Sequence, residues 1–290
     1  MSFSDYGLQM SDVEKQVASE PPWYKYICEY YGVTPDEALQ LGTRASGRKP
    51  SLPGSKTCKP VSGMTFEDIW DIKPRDTLKS LWEFYIDQGA WSAFRQTVRH
   101  LDLQDMRKDV MSRIIHNGDH LVEYGCGIAP FASTLLQSIT PSNNMDISLT
   151  DVEGCEHLIY GHWVLNKIKE ERSLSGVNIH EKPATLLDDI TCDLPKYEKN
   201  IDVFIIFEVL EHLPSPVAVI NSAIEQMNPN ARLVENFIKH ENKHQALGPD
   251  LESASSEREE FYNIVNANFN LAVGRPEPTG PSETRIWVKK

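Results

Sequence analysis

The chain is short of positive charge, of paired cysteines and of long apolar runs, and each shortage closes off a class of function. Its 29 lysines and arginines are outnumbered by 42 aspartates and glutamates, giving a formal net charge of −13. A whole-surface hold on nucleic acid needs cationic contacts to phosphate, so no nucleic-acid partner is expected. Cys28, Cys58, Cys126, Cys155 and Cys192 are scattered and never spaced as Cys-x-x-Cys. Neither a disulfide framework nor a metal site is indicated, and free thiols are expected. No apolar run is long enough to span a bilayer, and no n-region, apolar core and cleavage site open the chain. A cytoplasmic protein with no membrane partner is expected, and 290 residues with 40% hydrophobic content suffice for a sizeable core.

What the chain does have centres on residues 121–135, LVEYGCGIAPFASTL. Leu121 and Val122 lead through Glu123 to the turn Gly125-Cys126-Gly127, after which Pro130 opens an apolar-periodic run through Phe131, Leu135 and Leu136. This reads as strand, tight turn and helix. Glycines let backbone approach a ligand closely, and the new helix is expected to aim free N–H groups and its positive dipole end at the turn. A small polar or anionic ligand is expected there.

Upstream, WYKYICEYYG reads as a helix ended by Gly32, and Thr34-Pro35-Asp36-Glu37 as a helix start. Residues 42–63 carry Arg44, Arg48, Lys49, Lys56 and Lys59 with no acids, and read as a basic loop, either solvated or facing an anion. From Thr65 the chain reads helical to about Ile114, with interruptions near Pro74 and Gly89. Trp82, Tyr85, Trp91 and Phe94 should share a face, with Arg95 and Arg99 one turn apart beside it. From residue 120 strand and helix signals alternate. Strands are expected near 120–124, 146–151, 176–180, 202–207, 231–238, 268–273 and 284–289, and helices near 130–139, 154–170, 216–227 and 255–267. That alternation predicts an α/β fold with a mostly parallel seven-stranded sheet and helices on both faces. The last two strands are joined by the proline-rich RPEPTGPSE and should be antiparallel, while 239–254 reads as a long loop.

A dinucleotide fingerprint wants a third glycine where this chain has Pro130, which disfavours NAD and FAD. VEYGCGIAP instead resembles the first motif of class I S-adenosylmethionine-dependent methyltransferases, with Ala129 in place of its third glycine. SLTDVEG, LLDDITCDLP, IDVFIIFEVLEHLPSP and the closing antiparallel strand resemble later features of that family, in order. Before strand five, MNPNARLVE departs from the family's Pro-Gly-Gly, and a modified turn is expected at Pro229-Asn230. The resemblance implies a Rossmann-like fold, S-adenosyl-L-methionine as cofactor, and a methyltransferase domain over 105–290 behind a helical cap or substrate region over 1–104. It implies cofactor contacts at Glu123, Gly125, Cys126, Gly127, Asp151, Asp189, Ile190 and Glu208. Asp151 would take both ribose hydroxyls, Asp189 and Ile190 would meet the adenine, and Glu123 would hold the glycine loop or the cofactor's ammonium.

The expected reaction is methyl transfer to a small-molecule acceptor at oxygen. His212 and His240 are the candidate general bases, because imidazole titrates near neutral pH; each alternatively makes only local contacts. A metal on His240 and His244 with Glu235 or Glu241 matches no known spacing. Tyr85, Trp91 and Arg95 are the candidate acceptor contacts, and the basic loop with Arg95 and Arg99 suggests that the acceptor is anionic. A protein or peptide acceptor, a non-catalytic adenosylmethionine-binding module and an oxidoreductase on the same plan are the competing readings.

Overall fold

A computed structural model describes residues 23–35, 37–38, 78–89, 93–94, 96–97, 104–184, 194–237, 251–276 and 284–290. The elements, in order, are α1 (Trp23–Tyr31), α2 (Leu78–Gln88), α3 (Gln104–Ile114), β1 (His120–Tyr124), α4 (Pro130–Ser138), β2 (Met145–Thr150) and α5 (Glu156–Glu171). Then follow β3 (Val177–Glu181), β4 (Ile201–Ile206), a 3-10 turn (Leu210–His212), α6 (Pro216–Gln226), β5 (Met227–Glu235), α7 (Glu252–Asn268), β6 (Phe269–Val273) and β7 (Arg285–Lys289). The basic loop 42–63, the region 65–77 and residues 238–250 lie outside the described residues, and the end of the loop expected over 239–254 is instead helical, since α7 begins at Glu252.

The seven strands form one sheet in the order β3-β2-β1-β4-β5-β7-β6. Strands β1 to β5 pair in parallel, and β7 runs antiparallel to both β5 and β6. Every residue of β1 and β2 is buried, as strands covered on both faces require. One face carries a core of α3, α4 and α5 side chains, among them Phe131, Leu136, Leu158 and Leu165, against Leu121, Ile147 and Val203. The other carries α6 and α7 through Val219, Ile220, Phe261 and Val265, against Val122, Phe204 and Trp287. The alternation of Leu121 and Val122 between the two cores is the two-residue period of a strand.

Local chemistry explains the element ends. Gly32, at φ 64°, stops α1, as glycine does in the left-handed region. Thr34 and Glu37 form a reciprocal capping box, with Glu37 N–H donating to Thr34 Oγ1 at 3.3 Å and Thr34 N–H to Glu37 Oε2 at 2.8 Å. Ser215 caps α6 by accepting the Ala218 N–H. The modified turn before strand five takes the form of an irregularity inside β5: pairing with β4 jumps from Ile201↔Met227 to Val203↔Arg232, with Asn230 at φ 62°. Strand five therefore begins at Met227, earlier than the 231 read from the sequence, because Met227 pairs with Ile201 ahead of that irregularity.

Helix α1 lies against α5. Tyr26 donates to Glu171 Oε2 at 2.8 Å, Tyr31 donates to Glu156 Oε1 at 2.9 Å, and the Tyr30 ring sits 5.1 Å from that of Trp163. Tyr26, Ile27, Ala93 and Phe94 are buried in the same core cluster as β1 and β2.

Candidate functional site

Strand order reverses between β1 and β4, where chain segments leaving adjacent strands diverge and open sheets hold their ligands. Tyr124 pairs with Thr150 on one side and Ile206 on the other, so β1, β2 and β4 end level. The glycine turn, Asp151 and Glu208 therefore meet at one edge.

The turn is held by a short set of polar contacts. Gly125 at φ 62° and Gly127 at φ 51° adopt the left-handed conformation. A Cβ on Gly125 would run into the Val209 methyls, and one on Gly127 into the side-chain amide of Gln96. Gln96 also accepts the Ile128 N–H at 3.1 Å. Ala129 is itself left-handed at φ 56°, so the motif's third position keeps glycine's backbone shape without glycine, at a cost of about 1 kcal/mol. A glycine for close packing is supplied from elsewhere: at Gly161 of α5 a Cβ would stand 3.1 Å from the Gly127 carbonyl oxygen. Cys126 joins the strands through its backbone, donating its N–H to Thr150 O at 3.1 Å, and its thiol is buried.

Glu123 corrects the expectation of free helix-start amides. Its two carboxylate oxygens accept the Phe131 and Ala132 N–H groups at 3.1 and 2.8 Å, and Ser133 N–H donates to Ala129 O. The first turn of α4 is thus answered by a buried acid of the same chain. A pyrophosphate needs those amides and would meet a carboxylate in their place. Burial pushes the Glu123 carboxyl up to about 7, against its two N–H bonds and the nearby Arg107. Arg107, buried in α3 and lying 5.8 Å from the Phe131 ring, is itself lowered to about 10 by burial.

Asp151 follows β2. Its Oδ2 accepts the Gly127 N–H at 2.7 Å and its Oδ1 the Val152 N–H at 2.7 Å, while His157 Nε2 lies 3.4 Å from Oδ1. Burial would raise this carboxyl, but the His157 ring and the two N–H bonds outweigh it and hold it low. A carboxylate has about four acceptor sites, and three are already engaged. A bidentate grip on two ribose hydroxyls therefore requires one present partner to yield.

Glu208, at φ 58°, is tied across to the end of β5. Its N–H donates to Asn236 Oδ1 at 2.7 Å, and Asn236 Nδ2 donates back to Glu208 Oε1. His212 ends the 3-10 turn, half-buried, with its N–H on Val209 O at 2.9 Å and its ring 3.7 Å from Glu211. Tyr85 stands edge-on to the His157 ring at 6.2 Å, and Trp82 donates to Glu153 O at 3.0 Å. Both aromatics thus cover the segment after Asp151. Asp189, Ile190, Trp91, Arg95 and His240 lie outside the described residues. Gln96, Cys155, His157 and Asn236 went unread in the sequence. The Cys-x-His spacing close behind Asp151 was the one available signal.

Residues 96–263, more than half of the chain, match the family described as "Methyltransferase domain". The chain belongs to that family. Its seven-stranded sheet, with helices on both faces and β7 antiparallel to its neighbours, is a Rossmann-like fold. Among curated proteins none matches this methyltransferase in sequence. Solved structures similar in fold include the pyocyanin biosynthetic protein PhzM, at 13% identity and a TM-score of 0.45 over 74% of this chain and 62% of that one. An S-adenosylmethionine-dependent methyltransferase from Aquifex aeolicus matches at 13% identity and 0.43 over 73% and 97%. The N-methyltransferase NodS from Bradyrhizobium japonicum matches at 12% and 0.41 over 65% and 97%. The chain spans 62% of the length of PhzM. Among the described residues no helix is long and apolar enough to cross a membrane.

The donor set fits the cofactor. Around the left-handed glycine turn, Asp151 keeps about one acceptor site that a hydroxyl of S-adenosylmethionine could use, and the first amides of α4 are already bonded to Glu123.

Proposed function

We propose that this methyltransferase transfers the methyl group of S-adenosylmethionine to an oxygen nucleophile on a small, anionic acceptor. The observation that carries the donor half is the Glu123 carboxylate on the first amides of α4, which leaves the turn suited to a nucleoside without a phosphate. Gly125, Cys126 and Gly127 would line the methionine end through backbone, and Asp151 would hold the ribose. Asp189 and Ile190 would flank the adenine. Bound cofactor supplies a methyl already activated on a sulfonium, so the chain's task is alignment of the acceptor and, at most, removal of one proton.

His212 is the proposed base. It stands on the turn after β4 beside Glu211, a buried acid that would steady an imidazolium formed there. His240 is the second candidate base. The acidic chain favours a small acceptor over nucleic acid, and the basic loop 44–59 with Arg95 favours an anionic one. Tyr85 and Trp91 would close over it.

Incubation with methyl-labelled S-adenosylmethionine and a whole-cell lysate, afterwards separated into protein and small-molecule fractions, tests the reading. Label is expected in a small anionic product, with turnover lowered roughly hundredfold in His212→Asn. Label confined to a protein fraction would favour the protein-acceptor alternative.

A further inference from the structure

We propose that Asp151, Cys155 and His157 form a binding site for a thiophilic divalent cation of the zinc class, placed so that the occupied site opposes cofactor binding. One carboxylate oxygen, the Cys155 sulfur and one ring nitrogen of His157 all lie within 4.8 Å of one another. His157 Nε2 and Asp151 Oδ1 are 3.4 Å apart. That is close to the edge of a tetrahedron drawn with metal bonds of about 2.0 to 2.1 Å to nitrogen and oxygen.

The setting matches a metal centre more closely than a surface cluster of acids. Cys155 is fully buried and His157 is 2% exposed, while Asp151 keeps a side-chain exposure of 10% at the mouth. One sulfur, one imidazole and one carboxylate are a borderline-soft set suited to zinc and poorly suited to magnesium or calcium. All three ligands come from one short segment, the loop after β2 and the first turn of α5, so few backbone torsions separate the present positions from a closed site. Tyr85, edge-on to His157, and Trp82, bonded to Glu153 O, brace that segment from outside. Three protein ligands leave a fourth position open.

Opposition to the cofactor follows from Asp151. With Gly127 and Val152 bonded and a metal on Oδ1 in place of the His157 contact, about one acceptor site remains, and the partner most able to yield to a second ribose hydroxyl is locked. This second clause rests on the proposed ribose role of Asp151; the metal site does not.

The test uses the metal-stripped full chain. Titration with Co²⁺ is expected to give a thiolate-to-cobalt charge-transfer band that saturates near one equivalent, is displaced by Zn²⁺, is lost in Cys155→Ser and survives in Cys126→Ser. X-ray absorption of the wild-type zinc complex gives the same answer without a variant, and is expected to show one sulfur among nitrogen and oxygen ligands. A wild type with no charge-transfer band, or a zinc shell without sulfur, overturns the site. With one equivalent of zinc, adenosylhomocysteine should bind roughly tenfold more weakly, and adenosylhomocysteine should weaken zinc by the same factor. Unchanged adenosylhomocysteine affinity overturns the opposition. Adenosylhomocysteine that fails to bind with or without zinc contradicts the cofactor reading instead, and leaves the spectroscopic result standing.

Discussion

The carboxylate of Asp151 accepts the N–H of Gly127 at 2.7 Å, binding the end of β2 to the glycine turn after β1. The residue expected to grip the cofactor therefore also shapes the loop on which the cofactor would lie. Asp151→Ala should weaken adenosylhomocysteine by more than tenfold and lower stability by about 1 to 3 kcal/mol, the cost of leaving a buried N–H unmet. Calorimetry and urea unfolding check the two parts. Unchanged affinity in a folded variant would remove Asp151 from the cofactor site.

Glu123 makes stability depend on pH in an unusual direction. Its folded pKa is raised from 4.5 to about 7 by burial, so the folded state holds a proton that the unfolded chain has released. Its contribution is fully present below the unfolded value and is lost as pH rises through the folded one. Wild-type stability should fall between about pH 4.5 and 7 by an amount on the order of 3 kcal/mol from this group. Glu123→Gln should flatten that slope, read from urea midpoints at both ends of the window. An equal slope in wild type and variant would show that Glu123 does not set it.

The two glycines of the turn should not tolerate alanine equally. At Gly127 the obstacle is the end of the Gln96 side chain, which can swing away at the expense of its bond to Ile128. At Gly125 it is the β-branched Val209, stiff at χ1. Both variants carry the left-handed backbone cost of about 1 kcal/mol, and Gly125→Ala should be the less stable of the two. Melting temperatures decide it, and the reverse order would mean that Val209 moves more readily than Gln96.

Glu235 on β5 and Arg285 on β7 form a fully buried two-point ion pair, with both N–O distances 2.7 Å and Trp287 Nε1 also donating to Glu235 at 2.9 Å. Removing one partner strands a buried charge, at about 3 to 5 kcal/mol. Arg285→Met should therefore destabilise strongly, while Glu235→Gln with Arg285→Met together should recover much of the loss. Denaturant unfolding of both single variants and the double variant measures this. A double variant as weak as Arg285→Met would indicate that the pair itself, and not the stranded charge, holds the edge.

Much of the fold was legible because its cues are local. Gly32 after an aromatic helix, the helix start Thr34-Pro35-Asp36-Glu37, Pro130 at a first helical position and the apolar Leu121-Val122 before the glycine turn each announce an element without its neighbours. The glycine turn was legible in the same way, as the link within one strand-turn-helix unit, whereas Asp151 was named from the resemblance of SLTDVEG to a family motif and is brought beside the turn by the pairing of β1 with β2. What stayed hidden depends on contacts between distant segments. Gln96 reaches Ile128 from 32 residues upstream, and Asn236 meets Glu208 across 28. The role of Glu123 was half visible. Its place at the strand end was readable, but that it closes the α4 amides follows only from the turn's geometry, which left-handed Ala129 maintains without the glycine that the motif suggests.

The central claim is that this cleft takes adenosylmethionine and not a dinucleotide, and calorimetric titration of the full chain with adenosylhomocysteine and, separately, with NAD tests it most directly. The Glu123 cap and the Asp151 carboxylate predict saturable one-to-one binding of adenosylhomocysteine, lost in Asp151→Ala, and no heat with NAD. Saturable binding of NAD with none of adenosylhomocysteine would contradict the account.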